Sequence, residues 1–202
     1  HFLFLLSILI LAPSIIIMTT SFIRVSIVLK FAQRGLSLQQ SPPNQVIMGL
    51  ALFITFFIMS PTIEKIYDEA YKPFSRQKIT TEDFFEKSSF YLKEFMHRQV
   101  RESDVALFVK LAKEPPPKNK DEVKLVTLIP AFVISEITQG FKIGILIFIP
   151  FIVVDMIVAS ILMSMGMIMV PPIMISLPFK LILFVLFDGW HMITYQVVQG
   201  FA

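Results

Sequence analysis

Four hydrophobic segments dominate this chain, and none is free of proline or charge. They run from Phe2 to about Leu29, from Val46 to Ile63, from near Leu125 to about Ile168, and from Ile173 to about Val198. A bilayer-spanning helix needs about 20 apolar residues. The first and fourth are long enough, the second is slightly short, and the third is about twice that length. Pro13 and Arg24 interrupt the first; Pro130, Glu136, Lys142, Pro150 and Asp155 interrupt the third; Pro178, Lys180 and Asp188 interrupt the fourth. Each proline removes a helix hydrogen bond and kinks or breaks the helix. Kinks are therefore expected at Pro13, Pro130, Pro150 and Pro178, and the third segment reads as two or more helices meeting near Pro130 and Pro150. The second segment is expected to stop at Ser60-Pro61. The fold class is all-α: membrane-type helical hairpins with proline kinks, plus a small helical polar region.

The charges give the domain organisation. Of 33 charged residues, 25 lie between Glu64 and Lys124. This divides the chain into an N-terminal hydrophobic hairpin (1–63), a polar, mostly helical region (64–124) and a C-terminal hydrophobic hairpin (125–202). With 55% hydrophobic residues and a mean hydropathy of +0.73, the chain is too apolar for an ordinary soluble domain. It has no cysteine, and its net charge of +3 is too small to imply nucleic-acid binding. It opens at His1 inside a hydrophobic run with no basic stretch before it, so the natural start is expected upstream. The loop from Lys30 to Gln45 holds Lys30 and Arg34 and no acid, which the positive-inside rule places in the cytoplasm. Residues 64–124 then fall on the periplasmic side and the Gly166–Pro172 loop returns to the cytoplasmic side.

Local signals mark several helix ends. Ser41 can cap the second segment, with Pro42 and Pro43 in its first turn, where a missing N–H costs nothing. Thr80-Thr81-Glu82-Asp83 is a helix start, followed at helical spacing by Phe84, Ser88, Tyr91, Phe95 and Met96. A short helix is expected from Ser103, with Val105, Phe108, Val109 and Ala112 on one side, ending at Pro115-Pro116-Pro117. His97 reads as a solvated residue.

Six charges sit in apolar sequence: Arg24, Glu136, Lys142, Asp155, Lys180 and Asp188. A charge at the centre of a lipid-facing helix costs about 2.5–3.5 kcal/mol on insertion scales. These residues must pair, face water or sit outside the hydrocarbon. They read either as a polar conduit or intersubunit network, or as pairs inside one chain. The loop Met163-Ser164-Met165-Gly166-Met167-Ile168-Met169-Val170-Pro171-Pro172 is the second distinctive feature. Methionine is flexible and re-packs around different neighbours. Its four alternating methionines fit a deformable collar, soft-metal binding through thioethers, or gap-filling in a core. No catalytic or metal-ligand spacing is present: the three histidines are scattered, and no HExxH, GxSxG, P-loop or GxGxxG occurs. The residues call for no enzyme, cofactor or metal. A solute or copper transporter, using the charges as a relay and the methionines as ligands, is the alternative to a structural pore subunit.

Longer motifs carry a resemblance. Pro13-Ser14-Ile15, Thr20-Ser21-Phe22-Ile23-Arg24-Val25, Gln39-Gln40-Ser41-Pro42-Pro43-Asn44-Gln45-Val46 and Met59-Ser60-Pro61 resemble the first hairpin of FliP-like proteins. So do Ile129-Pro130-Ala131-Phe132, Ser135-Glu136, Phe148-Ile149-Pro150-Phe151, Met163-Ser164-Met165-Gly166-Met167, Ser176-Leu177-Pro178-Phe179-Lys180 and Asp188-Gly189-Trp190 in the second half. The resemblance covers nearly everything except 64–124 and favours the flagellar over the virulence branch. It implies a core subunit of the type III export gate in the bacterial inner membrane at the flagellar basal body. About five copies would form a closed ring with FliQ-like and FliR-like subunits. The gate would work with FlhB-like and FlhA-like proteins, contact membrane lipid and pass unfolded flagellar proteins. The resemblance also implies a pore gasket at Met163, Met165, Gly166, Met167 and Met169. It makes Arg24, Glu136, Lys142, Asp155, Lys180 and Asp188 intersubunit contacts, with Glu136 and Lys180 the foremost pair. The helices would form tilted hairpins largely on the periplasmic side of the lipid.

Overall fold

The structure is a computed structural model that describes residues 14–38, 41–113, 115, 117, 119, 122–167 and 169–201. Among these residues every regular element is helical. The elements are α1 (Phe22–Gly35), α2 (Asn44–Ile66), a π-helical segment (Tyr67–Tyr71), α3 (Lys72–Ser75), α4 (Thr81–Gln99), α5 (Glu102–Leu111), α6 (Leu125–Ser164), α7 (Pro172–Leu186) and α8 (Gly189–Gln199). Two stretches are long and apolar enough to cross a membrane: Asn44–Ser75 and Leu125–Ser164, with mean hydropathies of 2.2 and 2.8. Together α7 and α8 qualify as a third, bent by 62°.

Two expected helix ends at prolines are absent. The second segment does not stop at Ser60-Pro61; α2 runs through Pro61 to Ile66. Pro61 cannot donate to the carbonyl of Phe57, four residues back. The Ser60 hydroxyl donates to that carbonyl instead, at 2.9 Å. The coil continues through a π turn to Ser75, with Pro73 in the first turn of α3. The third segment is also not two helices: α6 is a single element of 40 residues containing Pro130 and Pro150. Pro130 lies in its second turn, where only one carbonyl loses its donor. A break would instead expose several backbone groups to an apolar setting, which costs more than one lost bond. In the fourth segment Pro178 lies inside α7, and the break falls at Asp188, whose φ of 46° is left-handed. Aspartate tolerates that conformation better than most residues. The first segment is interrupted at Thr19–Ser21, where Thr19 Oγ1 bonds back to Ile15 O at 3.0 Å. Pro13 lies outside the described residues.

The described residues pack as two units, each assembled from both halves of the chain. One holds Thr55–Thr138 with the described part of His1–Ile23; the other holds the described parts of Arg24–Ile54 and Gln139–Ala202. In the first, the expected capping box forms: Asp83 N–H donates to Thr80 Oγ1 and Thr80 N–H to Asp83 Oδ2. The face led by Phe95 and Met96 is buried, and Phe95 meets Phe132 edge-on with ring centres 6.0 Å apart. His97 is half-buried rather than solvated. The following helix starts one residue before the expected Ser103 and ends at Leu111, ahead of the proline run.

A polar clamp fixes α5 against α6 in this unit. Arg101 grips Asp104 through Nε at 2.8 Å and Nη2 at 2.9 Å. Ser135 Oγ donates to Asp104 Oδ2 at 2.5 Å and accepts the Arg101 backbone N–H at 3.1 Å. Burial pushes the Asp104 carboxyl up, but the bonds from Arg101 and Ser135 outweigh it and hold the group below its ordinary value.

In the second unit Val25, Val28, Leu29 and Ala32 of α1 are fully buried. Phe31 lies edge-on to Phe141 at 5.3 Å and to Phe148 at 6.2 Å. This approach depends on Gly140 and Gly144, one turn apart on α6. A Cβ on Gly144 would lie 2.5 Å from Phe31 Cγ, and one on Gly140 would lie 3.1 Å from Ile27. Small residues at this spacing let membrane helices approach closely.

Two outcomes follow. Gly144→Val should overpack this contact and destabilise the protein by about 1–3 kcal/mol, seen as a lower unfolding temperature in detergent. An equal temperature would contradict the packing. The Asp104 contribution is full above the ordinary carboxylate range and is lost as pH falls through the depressed value. Acid-induced exposure of residues 81–111 to protease should therefore lose part of its pH dependence in Asp104→Asn.

Candidate functional site

Lys180 is 1% exposed on an apolar helix, so its charge has to be answered locally. Its Nζ donates to Asp155 Oδ2 at 2.6 Å and to Ser37 Oγ at 2.8 Å. The other carboxylate oxygen of Asp155 accepts from Ser176 Oγ at 2.5 Å. Ser176 and Lys180 are four residues apart on α7 and share one face. Ser37 reaches the ammonium because its φ of 57° turns the chain sharply after α1. The centre joins the end of α1, the last third of α6 and the middle of α7 within one unit. It is a charge-compensated pin: net neutral, with both carboxylate oxygens used.

The other predicted charges divide. Arg24, 4% exposed, donates Nη1 to Gly200 O at 3.0 Å and stacks 3.8 Å above the Phe201 ring. It holds the C-terminal end of α8, where the helix dipole favours a cation. Glu136 is fully buried and is not without a partner. Lys142 and Asp188 are exposed, Asp188 at the α7–α8 break. Within its own unit the acid that Lys180 meets is Asp155. Pro150 lines an open apolar groove of about 700 Å³ with Ile147, Val154, Phe187 and Met192.

The methionine loop is built on a glycine turn. Gly166 has a φ of 76°; its N–H donates to Met163 O and that of Met167 to Leu162 O, both at 3.0 Å. This pair of bonds, with glycine in the left-handed position, is the Schellman ending of a helix. Pro172 then sits in the first turn of α7. Met163, Met165, Met167 and Met169 are exposed by 64%, 59%, 43% and 97%. They do not fill the core of the single chain. The turn presents soft apolar side chains outward with no competing charge.

The sequence reading missed Ser37 and Ser176 as partners of the Lys180 centre. Ser176 was detectable, being one helical turn before Lys180. Ser37 was not, because its contact spans 143 positions of sequence. The Gly140-x-x-x-Gly144 spacing was present and also passed over. Asp155→Asn should destabilise the chain by about 3 kcal/mol or less, Asp155 being part-exposed, because it leaves a buried ammonium without its counter-ion. Replacing both partners, as Lys180→Met with Asp155→Leu, should cost less than Lys180→Met and Asp155→Leu summed. Additive losses in that double-mutant cycle would contradict the pin.

The sequence model of the FliP family matches residues 5–197. A flagellar biosynthetic protein FliP of Borreliella burgdorferi is 52% identical over 98% of this chain and 80% of its own length. That of Bacillus subtilis is 50% identical over 98% of this chain and 90% of its own. That of Caulobacter vibrioides is 51% identical, covering 98% and 74%. These alignments include the polar middle region as well as both hydrophobic halves, and with the all-helical, membrane-apolar fold they show that the chain belongs to the FliP family of flagellar biosynthetic proteins.

Proposed function

We propose that the chain is a pore-forming core subunit of the flagellar type III protein export gate, passing unfolded flagellar proteins across the inner membrane. The observation that carries this reading is the exposed methionine turn between α6 and α7. Four flexible apolar side chains on a fixed turn have no partner role inside the chain's own core. Repeated around a closed ring of about five copies, such turns form a gasket. Thioether side chains close on one another when the pore is empty and re-pack around a passing polypeptide, whatever its sequence. The chain contributes passive closure, and energy comes from other subunits.

Assembly follows from the surface. Only 11% of the most apolar window of α6 is buried within the chain, and the groove beside Pro150 is open. Lipid or neighbouring subunits must cover this area. FliQ-like and FliR-like subunits complete the ring, with FlhB-like and FlhA-like proteins as working partners. Lys142 and Asp188, both exposed, supply contacts between copies, whereas Glu136, Arg24 and Lys180 are buried within the chain. Residues 64–124 lie on the periplasmic side, between the hydrophobic hairpins 1–63 and 125–202.

Replacing Met165, Met167 and Met169 together with alanine should raise ion or small-molecule leakage through the assembled gate at least severalfold. Gate assembly should be retained, because these side chains are not part of the core. Unchanged leakage in an assembled gate would contradict the gasket.

A further inference from the structure

A second feature of the Lys180 unit has no part in the gasket. Lys30, Gln33, Arg34, Ser37 and Asn44, with Met48, Leu38 and Ile173, line a cleft of about 600 Å³. Lys30 and Arg34 are four residues apart on α1 and share a face. Among the described residues no acid lines the cleft. Lys30 Nζ bonds to Gln33 Oε1 at 3.2 Å and to Asn44 Oδ1, both neutral, so its charge is oriented but not cancelled. Arg34 is exposed and has no ion-pair partner among the described residues.

The walls are held in place. Gln33, 6% exposed, donates Nε2 to Pro42 O at 2.8 Å and ties the α1–α2 connection to α1. Ser37 Oγ accepts from Lys180, so its own hydrogen points away from the ammonium and can be donated to an anion. Asn44, which also lines the cleft, is the first residue of α2, placing the positive end of that helix dipole there. Two uncompensated cations, a hydroxyl donor and a helix N-terminus converge on one space.

We propose that this cleft binds the phosphate of an anionic phospholipid headgroup. The lipid is favoured as occupant by its surroundings. The cleft lies at the start of the apolar stretch Asn44–Ser75, where the headgroup layer meets a spanning helix. Ile173, which lines the cleft, and its chain neighbour Met174 are exposed by 56% and 72%. A headgroup seated in the cleft lays its acyl chains on these side chains, whereas an acidic peptide leaves them uncovered. Basic residues at a membrane surface attract anionic lipid through their charge. The proposal stands apart from the gasket: failure of one leaves the other intact.

The test uses the full chain in detergent, with native mass spectrometry of retained phosphatidylglycerol, phosphatidylcholine and inorganic phosphate. Phosphatidylglycerol should be retained over phosphatidylcholine. Arg34→Gln should weaken it severalfold, and Lys30→Gln with Arg34→Gln by about tenfold or more. The paired control Arg76→Gln with Lys78→Gln, at exposed residues outside the cleft, should leave retention unchanged. The Arg34 side chain has no hydrogen-bond or ion-pair partner among the described residues, so the single variant reads binding without loss of structure, checked by helicity. Equal retention of both lipids, no effect of the cleft variants, or an equal effect of the control would overturn the proposal. So would displacement of the lipid by inorganic phosphate at equal concentration, which marks a free-anion site. In the assembled complex, crosslinking of position 34 to an acidic residue of another subunit, with no lipid retained, would overturn it in favour of a protein contact.

Discussion

A polar group carried into an apolar helix must be answered by another part of the protein, and this requirement organises the structure. Lys180 is answered by Asp155 and Ser37, and Arg24 by the end of α8. The carbonyl orphaned by Pro61 is answered by the hydroxyl next to it. An unmet polar group in hydrocarbon costs several kcal/mol, comparable to much of a domain's net stability. Each answer therefore fixes geometry. The lysine centre sets the end of α1 against α6 and α7, and those helices in turn define both the methionine turn and the basic cleft.

The remaining surface is what this arrangement leaves uncovered. Long apolar helices with little burial inside the chain, an open groove and a turn of exposed methionines are poor features for an isolated molecule. They suit a subunit whose neighbours complete it. Membership of the FliP family is consistent with that, since its members are flagellar biosynthetic proteins. The polar middle region is more self-sufficient: it has its own capped helix, its aromatic contact to Phe132 and the Arg101–Asp104–Ser135 clamp.

Much of this was legible in the residues, and the misses have physical causes. Helical class, the Thr80 start and the buried face at Phe95 and Met96 follow from local periodicity and capping, which act within a few residues. The power of proline to end a helix was overread at Pro61 and in the third segment. Besides crowding the carbonyl four residues back, proline removes one hydrogen bond, and Ser60 shows how a neighbour can replace that bond, whereas no local rule says whether such a rescue exists. The α7–α8 break was not anticipated because Asp188 was weighed as a charge rather than as a residue tolerant of left-handed backbone. The contact of Lys180 with Asp155 depends on α6 and α7 packing together, which no local pattern in the sequence states.

The central claim is that the chain is completed by copies of itself and by other small membrane subunits. The native mass of the detergent-solubilised complex, isolated from membranes with its co-purifying proteins, tests this most directly. A closed ring of several copies with additional small membrane proteins is the predicted result. A monomer or dimer with no such subunits, under conditions that keep the protein helical, would contradict it.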